Sequence, residues 1–209
     1  MAASQPIRNK DNVRRLAQFF LERGQIRNYA LIVLSVHTAL RISDLLRLCW
    51  DDVFDFKTGL VRKAVSITEK KTGKSKTIAL NTAVIAALTL FAPSAHPGRF
   101  LIENPRTKLA ISRIQAYRII RTASEALEFE DHVSCHSLRK TFGYHSWKGG
   151  NTLATIMLIY NHSSMAITLR YLGLTQDDMN EAYLGLNLIA QHGLPQSDIP
   201  IESQIMAKT

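Results

Sequence analysis

The sequence predicts an α+β protein, predominantly α-helical, with one small antiparallel β-sheet. Apolar residues recur at helical spacing over most of the 209 residues. The period changes to a β-branched, partly alternating pattern only between Lys57 and Leu80. No internal repeat or low-complexity stretch competes with that reading, and a chain of this length buries a real core without staples.

The elements follow in order. A first helix is expected over residues 11–23, where Val13, Leu16, Phe19 and Phe20 share a face and Gly24 takes the C-cap role. Residues 28–37, "NYALIVLSVH", are apolar enough for a buried helix. In "RISDLLRLCWDDV", Ser43 precedes Leu45, Leu46 and Leu48 as the cap of a short helix. "GLVRKAVSI" and "KTIAL" flank "EKKTGKS", whose Gly and charges suit the turn of a hairpin. Helices resume at 82–90 and 111–127, separated by "APSAHPGRFLIENPRTK", and three more are expected at 136–148, 153–160 and 165–172. A last helix over 176–189 precedes a tail. The chain divides on this reading into a helical extension (1–26), a main domain (27–190) and a C-terminal tail (191–209) expected to be flexible.

Charge narrows the partners. The formal net charge is +9, but five acids face one base from Leu172 onward, so residues 1–171 carry +13. A basic body suits a polyanion, nucleic acid before others, and an ordinary solubilising basic surface is the competing account. Two cysteines, Cys49 and Cys135, form no CxxC pair or disulfide framework, which suits a reducing interior. No apolar run approaches a membrane span and the N-terminus lacks a signal-peptide core, so a soluble protein is expected.

Four segments carry chemistry: "TALRISDLLRL" with Arg41, "EKKTGKSK" with Lys71, "HSLRKTFGYH" with His136 and Arg139, and "NHSSMAITLRYLGL" with His162 and, nine residues later, Tyr171. Each has a plain structural account when taken alone. Arg41 could pair with Asp44 on its own helix, Lys71 could be a solvated turn lysine, His136 and Arg139 a helix-start histidine and a surface arginine, His162 a cap, and Tyr171 a packed ring. His132 and His136 stand four apart, but Ser134 interrupts the helix between them and no cysteine or carboxylate cluster completes a zinc site. No metal or cofactor is expected.

Taken together, in this order, the set resembles the tyrosine recombinase or phage integrase family: an Arg in "TALRISDL", a hairpin Lys before Thr72 and Gly73, the box "HSLRKTF", the "NHSS" histidine and the Tyr of "RYLGL". The resemblance spans residues 27–183, nearly a catalytic domain. It implies an integrase-type fold and site-specific DNA recombination with six catalytic residues: Arg41, Lys71, His136, Arg139, His162 and Tyr171. Tyr171 would attack a phosphodiester and form a 3′-phosphotyrosyl link. A phenol with a pKa near 10 needs help to do so. Arg41 and Arg139 would clamp the phosphate with fixed, always-charged forks. His136 would assist proton transfer at the tyrosine, His162 would bond a phosphate oxygen, Lys71 would protonate the leaving 5′ oxygen, and Asp44 would hold Arg41.

The implied partners are double-stranded DNA, a homotetramer on paired sites joined through the C-terminal helix, and accessory DNA-bending proteins. The implied setting is cytoplasmic and nucleoid-associated, in a bacterium or phage. An inactive DNA-binding module of the same fold and a topoisomerase-like relaxing enzyme stay open as alternatives. Asn161 and Ala39 stand where the family often has Gly, which puts local backbone geometry in question. Only about forty residues precede Arg41, so the chain is either a standalone catalytic domain or a fragment. Arg113, Gln115, Arg118 and Arg121 are expected on the polar side of one helix, where they could touch DNA, with Ile111, Ile114 and Ile119 turned to the core.

Overall fold

The computed structural model describes residues 4–186. Helix α1 (Lys10–Leu21) is capped by the Asn9 side chain and α2 (Ile26–His37) is almost wholly buried, as its apolar run requires. The next segment makes two single turns, α3 (Ile42–Leu45) and α4 (Trp50–Val53). Arg41, not Ser43, is the N-cap of α3. Cap geometry thus lies two residues earlier than the Ser signal suggests.

The strands form two separate antiparallel ladders rather than one sheet. β1 (Phe54–Asp55) pairs with β2 (Leu60–Val61), and β3 (Ala64–Thr68) pairs with β4 (Ser75–Ala79) in the register Ala64↔Ala79 to Thr68↔Ser75. The expected first strand breaks at Arg62 and Lys63, where the chain leaves one ladder for the other. The hairpin turn 69–74 projects Lys71.

Helix α5 (Thr82–Phe91) is followed by α6 (Arg113–Ala126), α7 (Cys135–Lys148), α8 (Leu153–Tyr160) and α9 (Met165–Leu172). Capping explains the starts: Ser112, Ser134, Thr152 and Ser164 each accept a backbone N–H of the first turn. Asn161 and Gly173 end α8 and α9 in the left-handed conformation. The expected core face of α6 is corrected: Ala116, Ile120 and Ala123 are buried while Ile114 is 63% exposed. Gln115 closes the capping box on Ser112 and Arg121 pairs with Glu125.

Two apolar cores underlie the site. One gathers α2, the strands and α5 around Leu31, Leu34, Val65, Leu88 and Trp50. The other joins α1 to α2, α6 and α7 through Leu16, Phe20, Ile32, Ile120 and Leu138. Burial of such side chains supplies about 1.5–3 kcal/mol each. Together they fix α2 and α7 at the centre, and α7 carries His136 and Arg139.

The chain separates into two compact units, residues 1–173 and 174–209. In the second, α10 (Gln176–Gly185) begins in a capping box of Thr175 with Asp178 and exposes Met179, Tyr183 and Leu184. The expected end of that helix at 189 and the 191–209 tail lie outside the described residues.

Candidate active site

Arg41 and Arg139 are 98 positions apart, yet their forks meet at one atom. The carbonyl oxygen of Tyr160, the last residue of α8, accepts Arg41 Nη2 at 3.4 Å and Arg139 Nη2 at 3.3 Å. Arg139 is 3% exposed and also donates through Nη1 to the carbonyl of Ala39. Ala39 has φ +54°, a left-handed backbone that costs a non-glycine residue about 1–2 kcal/mol and explains why glycine suits the position.

Arg41 is held by Glu69, not by Asp44. Its Nη1 lies 2.8 Å from Glu69 Oε2, whereas Asp44 Oδ1 accepts the backbone N–H of Lys70 at 3.0 Å. The expected local Arg41–Asp44 pairing fails because Arg41 caps α3 from outside the helix and reaches across to the hairpin. Glu69 is buried and gathers Lys76 Nζ at 3.0 Å, Asn161 Nδ2 at 3.0 Å and the Thr72 hydroxyl at 2.8 Å. Burial alone would raise its carboxyl, but the donors from Asn161, Lys76, Arg41 and Thr72 outweigh it and hold it at about 2. Asn161 adopts φ +54°, which asparagine tolerates, and adds a side-chain donor that glycine lacks.

Tyr171 stands at the other side of this pair. Its hydroxyl is 3.4 Å from His136 Nδ1, and its ring lies 4.9 Å from those of His136 and Tyr160 and 5.1 Å from that of His162. Lys140 Nζ sits 5.4 Å from its centroid. Burial raises the Tyr171 phenol above 10, opposed by Arg139 and Arg41. Burial first, then Lys140, Arg139 and Arg41, lowers His136 below 6.5, which leaves a neutral ring able to accept a proton near neutral pH. His162 is pushed down to about 4 by burial and by Arg139, Arg41 and Lys71, and its Nδ1 contacts the Thr168 hydroxyl at 3.1 Å.

Five of the six residues singled out from sequence thus gather around one spot. Lys71 stands apart at the hairpin turn, exposed, yet near enough to act on His162. Sequence reasoning missed Glu69, Lys76, Lys140 and Tyr160. The hydroxyl of Tyr160 donates to the Arg139 carbonyl at 2.6 Å and its ring carries the Arg139 guanidinium 4.6 Å from its centroid. Gly143 makes room for it, since a Cβ there would lie 2.4 Å from the Tyr160 hydroxyl. His132 hydrogen-bonds Tyr117 at 3.0 Å. Cys49 and Cys135 are both free thiols.

The arrangement can hold an anion between two fixed cations beside a phenol and a neutral imidazole. Comparison with known proteins agrees. Residues 8–177 match the profile of the phage integrase family. The chain is 36% identical over 179 residues to a probable integrase/recombinase of Bacillus subtilis, YoeC, covering 86% of this chain and 94% of that one. It is 27% identical over 165 residues to tyrosine recombinase XerC of Pelobacter propionicus, covering 78% of this chain and 52% of the relative. It therefore spans about half the length of the Xer recombinases it matches. The crystal structure of XerA recombinase superposes with a TM-score of 0.71 at 22% identity, over 87% of this chain and 65% of that one. XerH bound to a palindromic difH substrate gives 0.69 at 18%, over 88% and 53%. At such identities the likeness is one of fold. Among the described residues no helix is long and apolar enough to cross a membrane.

Proposed function

The chain belongs to the phage integrase family of tyrosine recombinases, and on that premise we propose that it performs site-specific recombination of double-stranded DNA, cutting and rejoining strands through Tyr171. The observation that supports this best is the convergence of Arg41 and Arg139 on one oxygen beside the Tyr171–His136 pair.

Tyr171 Oη attacks the scissile phosphorus and passes its proton to His136 Nδ1. Arg41 and Arg139 neutralise the charge that grows on the non-bridging oxygens, and His162 bonds one of them. The P–O5′ bond breaks as the tyrosyl–phosphorus bond forms, and Lys71 gives the departing 5′ oxygen its proton. The 3′-phosphotyrosyl link keeps the bond energy, so a 5′ hydroxyl of a partner duplex reverses the step and completes an exchange without ATP. Two fixed guanidinium groups supply the positive charge a divalent cation would otherwise provide, and the reaction is metal-independent on this reading. The basic body, +13 over residues 1–171, faces the phosphates. The apolar side chains exposed on α10 suit docking on a neighbouring protomer in a DNA-bound tetramer at paired sites, with DNA-bending proteins as accessories, in the cytoplasm near the nucleoid.

The test is a nicked suicide duplex carrying a site selected from a random library by wild-type binding. In chelator, wild type forms a denaturant-resistant adduct and Tyr171→Phe forms none. Adduct from both proteins moves the nucleophile elsewhere, and binding without adduct makes the chain a DNA-binding module.

A further inference from the structure

Glu69 is a buried carboxylate to which the proposed reaction assigns no chemical step, yet it bonds to the segments that carry Arg41, Lys71 and His162. It is 1% exposed. Its Oε2 takes Arg41, Asn161 (the neighbour of His162) and Thr72, and its Oε1 takes Lys76, whose Nζ also donates to the Ile159 carbonyl at 3.1 Å. Burying so many charges is weak support for stability, because their desolvation offsets most of the attraction. What such a network does supply is fixed geometry.

That geometry centres on Lys71. The residues on either side are tied to buried carboxylates: the Lys70 N–H to Asp44 at 3.0 Å and the Thr72 hydroxyl to Glu69 at 2.8 Å. The turn closes through Gly73 N–H to the Glu69 carbonyl at 2.8 Å and Glu69 N–H to that of Lys74 at 3.0 Å. The Lys71 ammonium has no hydrogen bond or ion pair among the described residues. Its backbone is therefore pinned while its side chain stays free to reach.

We propose that Glu69 is a positioning residue that sets the hairpin bearing Lys71 in register with the Arg41 clamp, and so governs proton delivery to the leaving 5′ oxygen. The proposal rests on the reading of Lys71 as the proton donor. A clamp and a proton donor on different segments must hold their spacing while DNA binds, and one carboxylate bonded to both segments does this. Misplacement by about 1 Å is enough to cost two orders of magnitude in rate.

The test compares single-turnover adduct formation on the selected suicide duplex with the same duplex carrying sulfur in place of the scissile 5′ oxygen. A thiolate leaves without a proton, since thiols are far more acidic than alcohols. Glu69→Gln and Lys71→Met are expected to slow the oxygen substrate by about 10²-fold and to return to within a few-fold of wild type on the sulfur substrate. Thr72→Val, a lighter change in the same tie, is expected to show the same selectivity at roughly a tenth of the size, so a Glu69 variant that fails to fold leaves the proposal exposed to test. If Lys71→Met is rescued and neither Glu69→Gln nor Thr72→Val is, Glu69 serves only the clamp or the fold and the proposal is overturned. If Lys71→Met itself is not rescued, the proton-donor reading fails, and the proposal with it.

Discussion

The proposed phosphate clamp and the proposed nucleophile are built to different standards. At the clamp, Arg139 is 3% exposed and Arg41, Glu69 and Tyr160 interlock through backbone carbonyls and a four-donor carboxylate. At the proposed nucleophile, Tyr171 has ring contacts, a 3.4 Å hydrogen bond to His136 and an interaction with Arg139, on a helix that buries only Thr168 and Leu172 and exposes Met165, Ile167 and Leu169. The clamp is thus complete before DNA arrives, while the nucleophile is held loosely enough to be adjusted by it.

Several changes would break or sharpen this contrast. Arg139→Lys removes one fork and its two carbonyl anchors, and should lower the cleavage rate by about 10²–10³-fold, read as single-turnover adduct formation. If the clamp is as rigid as described, Glu69 should also show in stability. Its carboxyl is depressed from 4.5 to about 2, so the advantage its ionised form gives the fold over the protonated form is fully present above pH 4.5 and is lost as pH falls toward 2. Denaturant midpoints between pH 5 and 2 should fall less steeply for Glu69→Gln than for wild type. Gly143→Ala should cost about 1–3 kcal/mol by thermal melting, because its methyl meets Tyr160. At the nucleophile the effects should be gentler. Cleavage should rise with pH through a value below 6.5 as His136 loses its proton, and Lys140→Met, by removing a neighbouring cation, should move that limb upward by less than about one unit.

Much of this was legible in the sequence. Sequence pattern placed α8 and α9 to their ends, and the structure supplies the reason: Thr152 and Ser164 cap the starts and Asn161 and Gly173 take the left-handed stops. The six catalytic candidates were singled out by the resemblance their motifs carry, among them the nine-residue step from His162 to Tyr171 and the three-residue step from His136 to Arg139. The supports were not. Glu69 reads as one more charge in a turn, and only the fold shows it buried against Arg41, 28 positions back, and Asn161, 92 ahead. Tyr160 reads as a helix end, whereas its carbonyl and hydroxyl serve both arginines. Asp44, at local i, i+3 spacing, seemed the natural partner of Arg41; the extended backbone of Arg41 at ψ 142° carries its side chain to the hairpin instead. Long-range polar pairing has no period, so pattern reading cannot find it.

The account stands or falls on the atom that joins protein to DNA. Tandem mass spectrometry of the wild-type adduct, digested by protease and nuclease, reads that atom directly. Cleavage after Arg170 releases a peptide beginning at Tyr171 and containing Tyr183 as well. The account predicts fragment ions that place a 3′-linked nucleotide on Tyr171 alone; a nucleotide on Tyr183, on a serine or on any other residue would contradict it.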